Sequence, residues 1–138
     1  MKVKCMADYP TAEDIRRLGK SFYQKQAFHV TVGREYIVFG MEFYVDSNVC
    51  GTGVWISLMS DYASLTSAPL CLFEIIDARS SRFWECRKRD SNIVVLWPPA
   101  FFTDYFHDDL GEGVDAAVEE FKRVRSLLEG EFSDNTIN

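Results

Sequence analysis

From Ile37 to Val45 large apolar residues fall at every second position, with Ile37, Phe39, Met41, Phe43 and Val45 on one side and Tyr36, Val38, Gly40, Glu42 and Tyr44 on the other. Successive side chains of a strand point to opposite faces, so this period of two predicts a half-buried strand in an antiparallel sheet. Before and after it the period is helical. That switch from helix to alternation and back constrains the fold more than any other feature of the chain.

Upstream, Thr11 with Asp14 three residues later reads as a capping box opening a helix from about Thr11 to Gln24. Its apolar stripe is Ile15, Leu18 and Phe22, with Arg16, Arg17 and Lys20 off the stripe. Phe28, Val30 and Val32 then alternate with His29 and Thr31, predicting a first strand that Gly33-Arg34 turns back. After the Asp46-Ser47-Asn48 break, Val54–Met59 reads as a further strand, Ser60–Pro69 as a polar, turn-rich connection, and Leu70–Ile76 as a buried strand. Arg82–Lys88 and Ile93–Trp97 flank Arg89-Asp90-Ser91-Asn92 as a hairpin, and Pro98-Pro99 ends the sheet because proline has no ladder donor. Ala100–His107 allows one or two short helical turns. Past Gly113, the residues Val114, Ala117, Val118, Phe121, Val124 and Leu128 share one helical face, with acids early and bases late, as the helix dipole favours. The predicted architecture is α+β: an antiparallel sheet of five to six strands covered by an N-terminal helix and C-terminal helices. No linker or repeat divides it, so residues 1–138 are expected to form one domain with a tail fraying from about 133.

Composition narrows the function classes. Hydrophobic residues at 47% of 138 are too many for a disordered chain, and no apolar run reaches the ~18 to 20 residues that span a bilayer. Met1-Lys2-Val3-Lys4-Cys5 lacks the apolar core of a secretion signal, so a cytoplasmic location is expected. The net charge of −6 argues against direct binding of nucleic acid or an anionic membrane, both of which are held by Lys and Arg. Cys5, Cys50, Cys71 and Cys86 form no C-x-x-C pair and sit in or beside apolar segments, which predicts buried, reduced thiols and no structural metal.

Chemistry-bearing motifs are sparse. His107-Asp108-Asp109 is the one trio with acid–base or metal-ligating composition, but a metal phosphohydrolase needs further His and Asp ligands on helices, and His29 lies in a predicted strand. There is no nucleophile elbow, and Gly51-Thr52-Gly53 leads into a strand instead of the helix that a phosphate-binding loop opens. No catalytic residue, cofactor or metal is therefore assigned. A small enzyme built on His107 and neighbouring carboxylates, and a generic adaptor domain, are the alternatives.

The chain is most unusual between Phe101 and Glu120, where Asp104, Asp108, Asp109, Glu112, Asp115, Glu119 and Glu120 occur without a single Lys or Arg, interleaved with Phe101, Phe102, Tyr105 and Phe106. A solvated loop and helix start explains such a run. It also suits a surface that imitates a polyanion and meets a basic protein, the carboxylates guiding encounter and the aromatics anchoring it. The candidate contact residues are Asp104, Tyr105, Phe106, Asp108, Asp109, Glu112 and Asp115. A partly neutralised basic counterpart, Arg79, Arg82, Arg87, Lys88 and Arg89, surrounds Trp84 and reads as the polar outer face of a hairpin over a core tryptophan.

Five segments carry a family resemblance: Tyr36-Ile37-Val38-Phe39-Gly40, Leu72-Phe73-Glu74-Ile75-Ile76-Asp77, Phe83-Trp84, Trp97-Pro98-Pro99-Ala100-Phe101, and Phe121 with Glu129 and Glu131. From Tyr36 to about Phe132 the chain resembles small bacterial immunity proteins that accompany polymorphic or contact-dependent growth inhibition toxins. The resemblance implies a cytoplasmic protein that binds and blocks a cognate toxin domain, often a nuclease with a basic cleft. It carries no individual residue roles onto this chain.

Overall fold

The computed structural model describes residues 1–19, 27–48 and 50–133. Among the described residues, eight strands form two antiparallel sheets. The smaller has the order β2-β1-β6, from Lys2–Cys5 (β1), Glu35–Ile37 (β2) and Phe73–Asp77 (β6). The larger runs β5-β4-β3-β8-β7, from Gly40–Ser47 (β3), Gly51–Met59 (β4), Leu65–Pro69 (β5), Glu85–Asp90 (β7) and Ile93–Trp97 (β8). Helices α1 (Ala12–Leu18), α2 (Phe106–Gly111) and α3 (Asp115–Ser133) complete an α+β fold.

Two apolar cores flank the larger sheet. Register pairs Met41 with Ile56, and Ile56 with Ala68, so these share a face; they pack with Val3, Cys5, Tyr36 and Phe73 of the smaller sheet. On the second side Val95 and Trp97 pack with Phe39, Phe101, Phe106 and the α3 residues Ala117, Phe121, Val124 and Leu128. The α3 stripe thus forms as its period predicts, except that Val114 is exposed and Val118 only partly buried. The far end of α3 is tied down by Glu131, whose carboxylate accepts from the Ser81 hydroxyl at 2.5 Å and the Arg82 backbone N–H at 3.2 Å.

The Ile37–Val45 alternation is cut in two. The Val38 N–H donates to Met1 in the smaller sheet, and the next N–H, of Phe39, donates to Ser57 in the larger one. Val38 and Phe39 are both buried, one in each core, while Val45 is 58% exposed. Alternation cannot reveal such a crossing, because a segment passing between two cores buries both of its faces. Gly40 marks the same crowding: a Cβ there would lie 2.4 Å from Cδ1 of Trp97.

Elsewhere the capping box at Thr11 is present, its hydroxyl accepting from the Asp14 N–H at 3.2 Å while the Asp14 carboxylate accepts from the Thr11 N–H at 3.4 Å. The described part of that helix ends at Gly19; Lys20, Phe22 and Gln24 lie outside the described residues. The C-terminal turn of α1 presses on Gly51, where a Cβ would fall 2.1 Å from the Arg17 carbonyl and φ is +60°. Only glycine fits there.

Phe28–Val32 is no strand. Phe28 and Val30 are buried as the alternation requires, but the segment is irregular and His29 has φ +56°. Leu65–Pro69 is an edge strand where turns were expected, its polar Thr66 and Ser67 paired with Leu58 and Ser57. Leu70–Leu72 is a 3-10 turn, and the strand after it leaves Ile75 and Ile76 exposed on an outer edge. The four thiols are free, but only Cys5 is buried; Cys71 on the 3-10 turn and Cys86 on edge strand β7 are exposed. No described helix is long and apolar enough to cross a membrane.

Candidate functional site

The acidic connection is built on buried aromatic pegs. Pro98-Pro99 ends β8 and starts the 3-10 turn Pro99–Phe102, which drives Phe101 inward to 1% exposure. Five residues later Phe106 opens α2 and stacks on Phe101 with centroids 5.1 Å apart. Phe101 also lies 6.3 Å from Phe121 of α3, which locks the connection onto the helix. Phe106 therefore belongs to the core, not to a contact surface: at 5% exposure it offers a partner nothing.

The residues between and after the pegs face outward. Asp104, Tyr105, Asp108, Glu112 and Asp115 are exposed and Asp109 is half-buried. None of these five carboxylates makes an ion pair among the described residues; all seven ion pairs found there lie elsewhere. The last acids of the run are already occupied, Glu119 by Lys122 at 3.2 Å and Glu120 by Arg123 at 2.6 Å. Arg123 also holds the Glu120 carboxyl below its ordinary range. Tyr105 is 75% exposed and sits at φ +63°, ψ +13°, a left-handed conformation that costs a side-chain-bearing residue about 1–2 kcal/mol.

His107 packs among aromatic rings. Its ring leans on Trp97 at 4.8 Å and meets the edges of Phe101 and Phe106 at 5.5 and 5.6 Å. Desolvation against these rings, reinforced by the nearby Arg89 cation and opposed by Asp108, lowers its pKa, although part of the residue remains exposed. No group of three or more His, Cys, Asp or Glu among the described residues is arranged to hold a metal ion.

The structure adds neighbours that the sequence keeps apart. Arg87 and Arg89 on β7 lie over Phe102 and Trp97, at 4.1 and 5.1 Å from the ring centres. A cavity of about 270 Å³ is consequently lined by Arg89, Thr103, Asp104, His107 and Asp108. Part of the basic segment is engaged within the fold: Arg79 pairs with Asp77, Arg87 with Glu85, and Trp84 donates its indole N–H to the Phe39 carbonyl at 2.9 Å. Across from α2, the β4–β5 turn brings the exposed ring of Tyr62 beside His29, centroids 4.3 Å apart. Nothing in the local pattern around Tyr62 signals this placement; only the packing of β5 beside β4 produces it.

The chain matches no protein-family model, no curated protein and no solved structure. The fold and site described above thus stand on their own geometry.

Proposed function

We propose that the chain is a binding protein of the immunity type, which inhibits a basic toxin domain by laying the Asp104–Asp115 connection across its positively charged active site. In this reading it acts in the cytoplasm, without cofactor or catalysis. The observation that carries the proposal is the contrast in how carboxylates are used. Asp104, Asp108, Asp109, Glu112 and Asp115 are held on an aromatic footing yet make no ion pair among the described residues, although Arg89 lines one cavity with Asp104 and Asp108. A pre-organised row of unpaired charge steers an oppositely charged partner and loses little side-chain or loop entropy on binding. Exposed Tyr105 supplies the amphipathic ring that interfaces favour.

The test is affinity capture from cells that naturally produce the chain, using wild type and the variant carrying Asp108→Lys with Asp109→Lys. The expected result is a basic protein domain retained by wild type, whose activity falls to zero at one equivalent, and at least tenfold weaker binding by the charge-reversed variant. Added salt is expected to slow association, because exposed charges are screened beyond about 8 to 10 Å near 0.1 to 0.15 M. Unchanged affinity in a folded double variant removes the acidic face from the mechanism.

A further inference from the structure

Three hollows meet at His107. The first is the Arg89-lined cavity; the second, of about 530 Å³, follows Tyr105, Asp108, Asp109 and Glu112; the third, of about 410 Å³, runs between the β4–β5 turn and helices α2 and α3. Tyr105 and Asp108 line the first two, and Gly111 lines the second and third, so the hollows are neighbours around α2 and together make up a trough-like surface. Its third hollow is a mainly apolar socket, walled by Met59, Leu65, Leu110 and Val118, with Lys122 and Arg125 also lining it. The carboxylates of Asp108 and Glu112 stand on its α2 lip without ion pairs among the described residues. On the opposite rim Lys122 and Arg125 are neutralised by Glu119 at 3.2 Å and Glu129 at 2.7 Å. Arg89 in the first hollow makes no ion pair among the described residues either. The charges of the trough that lack an ion pair are thus this one cation against the carboxylates of Asp104, Asp108, Asp109 and Glu112, and the balance is negative.

Resting on the binding reading above, we infer that this trough receives a Lys- or Arg-rich segment of a protein partner that carries one large apolar side chain. The apolar side chain enters the socket between Leu65 and Leu110, and its flanking cations meet Asp108, Asp109 and Glu112. Charge alone fixes neither position nor register on a row of carboxylates. A single anchored side chain does both, which is how interfaces concentrate affinity in a few pocketed residues. An acidic segment is excluded by the free carboxylates on the lip.

Two acetylated, amidated peptides test this, Lys-Lys-Trp-Lys-Lys and its counterpart with Ala in place of Trp, titrated into the isotope-labelled full chain and followed by amide chemical shifts. The Trp peptide is expected to bind at least fivefold tighter and to shift the Leu110, Gly111 and Val118 resonances. Gly111 lines both the second and third hollows and a Cβ there meets nothing within 4 Å, so Gly111→Trp adds an indole at the mouth of the socket, with a thermal melt as the check on folding. That variant is expected to bind both peptides equally, at the level of the Ala peptide. Equal affinity of wild type for the two peptides, no binding of either, or a Trp preference that survives in Gly111→Trp overturns the inference. The two proposals fail separately: a captured partner lost by the Asp108/Asp109 reversal but kept by Gly111→Trp refutes the socket alone, and one kept by the reversal refutes the acidic face.

Discussion

Asp61 and the Asp104–Asp115 connection use the same functional group in opposite ways. The Asp61 carboxylate accepts from the Thr31 hydroxyl at 2.6 Å, the Arg34 guanidinium at 2.6 Å and the Tyr36 phenol at 2.8 Å, while its backbone N–H donates to the His29 carbonyl at 2.8 Å. One side chain thereby fastens the irregular Thr31–Arg34 segment and the start of β2 to the β4–β5 turn. The hydrogen bond from Thr31 comes first among the causes that hold its carboxyl below the usual range, with Tyr36 and Arg34 adding to it against a desolvation penalty. The five outward carboxylates of the connection make no ion pair among the described residues and hold nothing together. The comparison teaches that the same carboxylate either fastens segments together, when donors of the fold surround it, or stays solvated, when the aromatic pegs beneath it carry the packing instead.

The largest effect expected sharpens the boundary of that surface. Phe106→Ala removes a core peg, and buried Phe to Ala substitutions cost about 3 to 5 kcal/mol. Chemical denaturation is expected to show a loss of that size; a stable Phe106→Ala protein that fails only in partner binding would return the ring to the interface.

Asp61→Ala is expected to cost about 2 kcal/mol, the range for hydrogen bonds to a charged group. The same carboxylate predicts a pH dependence. Its folded pKa lies below its unfolded one, so its contribution is complete above about pH 4, the ordinary Asp value, and is lost as pH falls through the depressed folded value. Wild type and Asp61→Ala melting curves should therefore converge on acidification, and parallel curves would show that the carboxylate's charge is not what fastens the segment. By contrast the Asp108→Lys, Asp109→Lys protein is expected to keep its stability within about 0.5 kcal/mol, as surface substitutions do.

The smallest effect concerns strain. Replacing Tyr105 by Gly relieves the left-handed cost of about 1–2 kcal/mol and adds about 0.4–1 kcal/mol of unfolded-state freedom. A net gain of about 0.5 kcal/mol in stability is expected together with weaker partner binding. A loss of stability would mean that the ring packs against the protein and does not wait for a partner.

Local chemistry made much of this legible. The Thr11–Asp14 cap, the α3 stripe and the proline stop at Pro98 each depend on residues within a few positions of one another, so the sequence carries them directly. The β7–β8 hairpin forms too, but residues 82–84 lie outside it and Arg89 and Asp90, expected in its loop, belong to β7. The acidic run was equally plain, since charge is read residue by residue. What the sequence could not determine was everything set by a second layer. β1 shows only four residues of alternation, Lys2-Val3-Lys4-Cys5, too few to mark a strand until Glu35–Ile37 and Phe73–Asp77 pair on its two sides. The Val38–Phe39 crossing hides in an unbroken alternation because each residue buries its side chain in a different core. Phe106 and Tyr105 are adjacent aromatics, indistinguishable by composition, yet the stacking of Phe101 turns one inward and the left-handed turn leaves the other in solvent. Tertiary packing decided those outcomes because burial is a property of what lies opposite a residue, and a chain read in one dimension does not contain its opposite side.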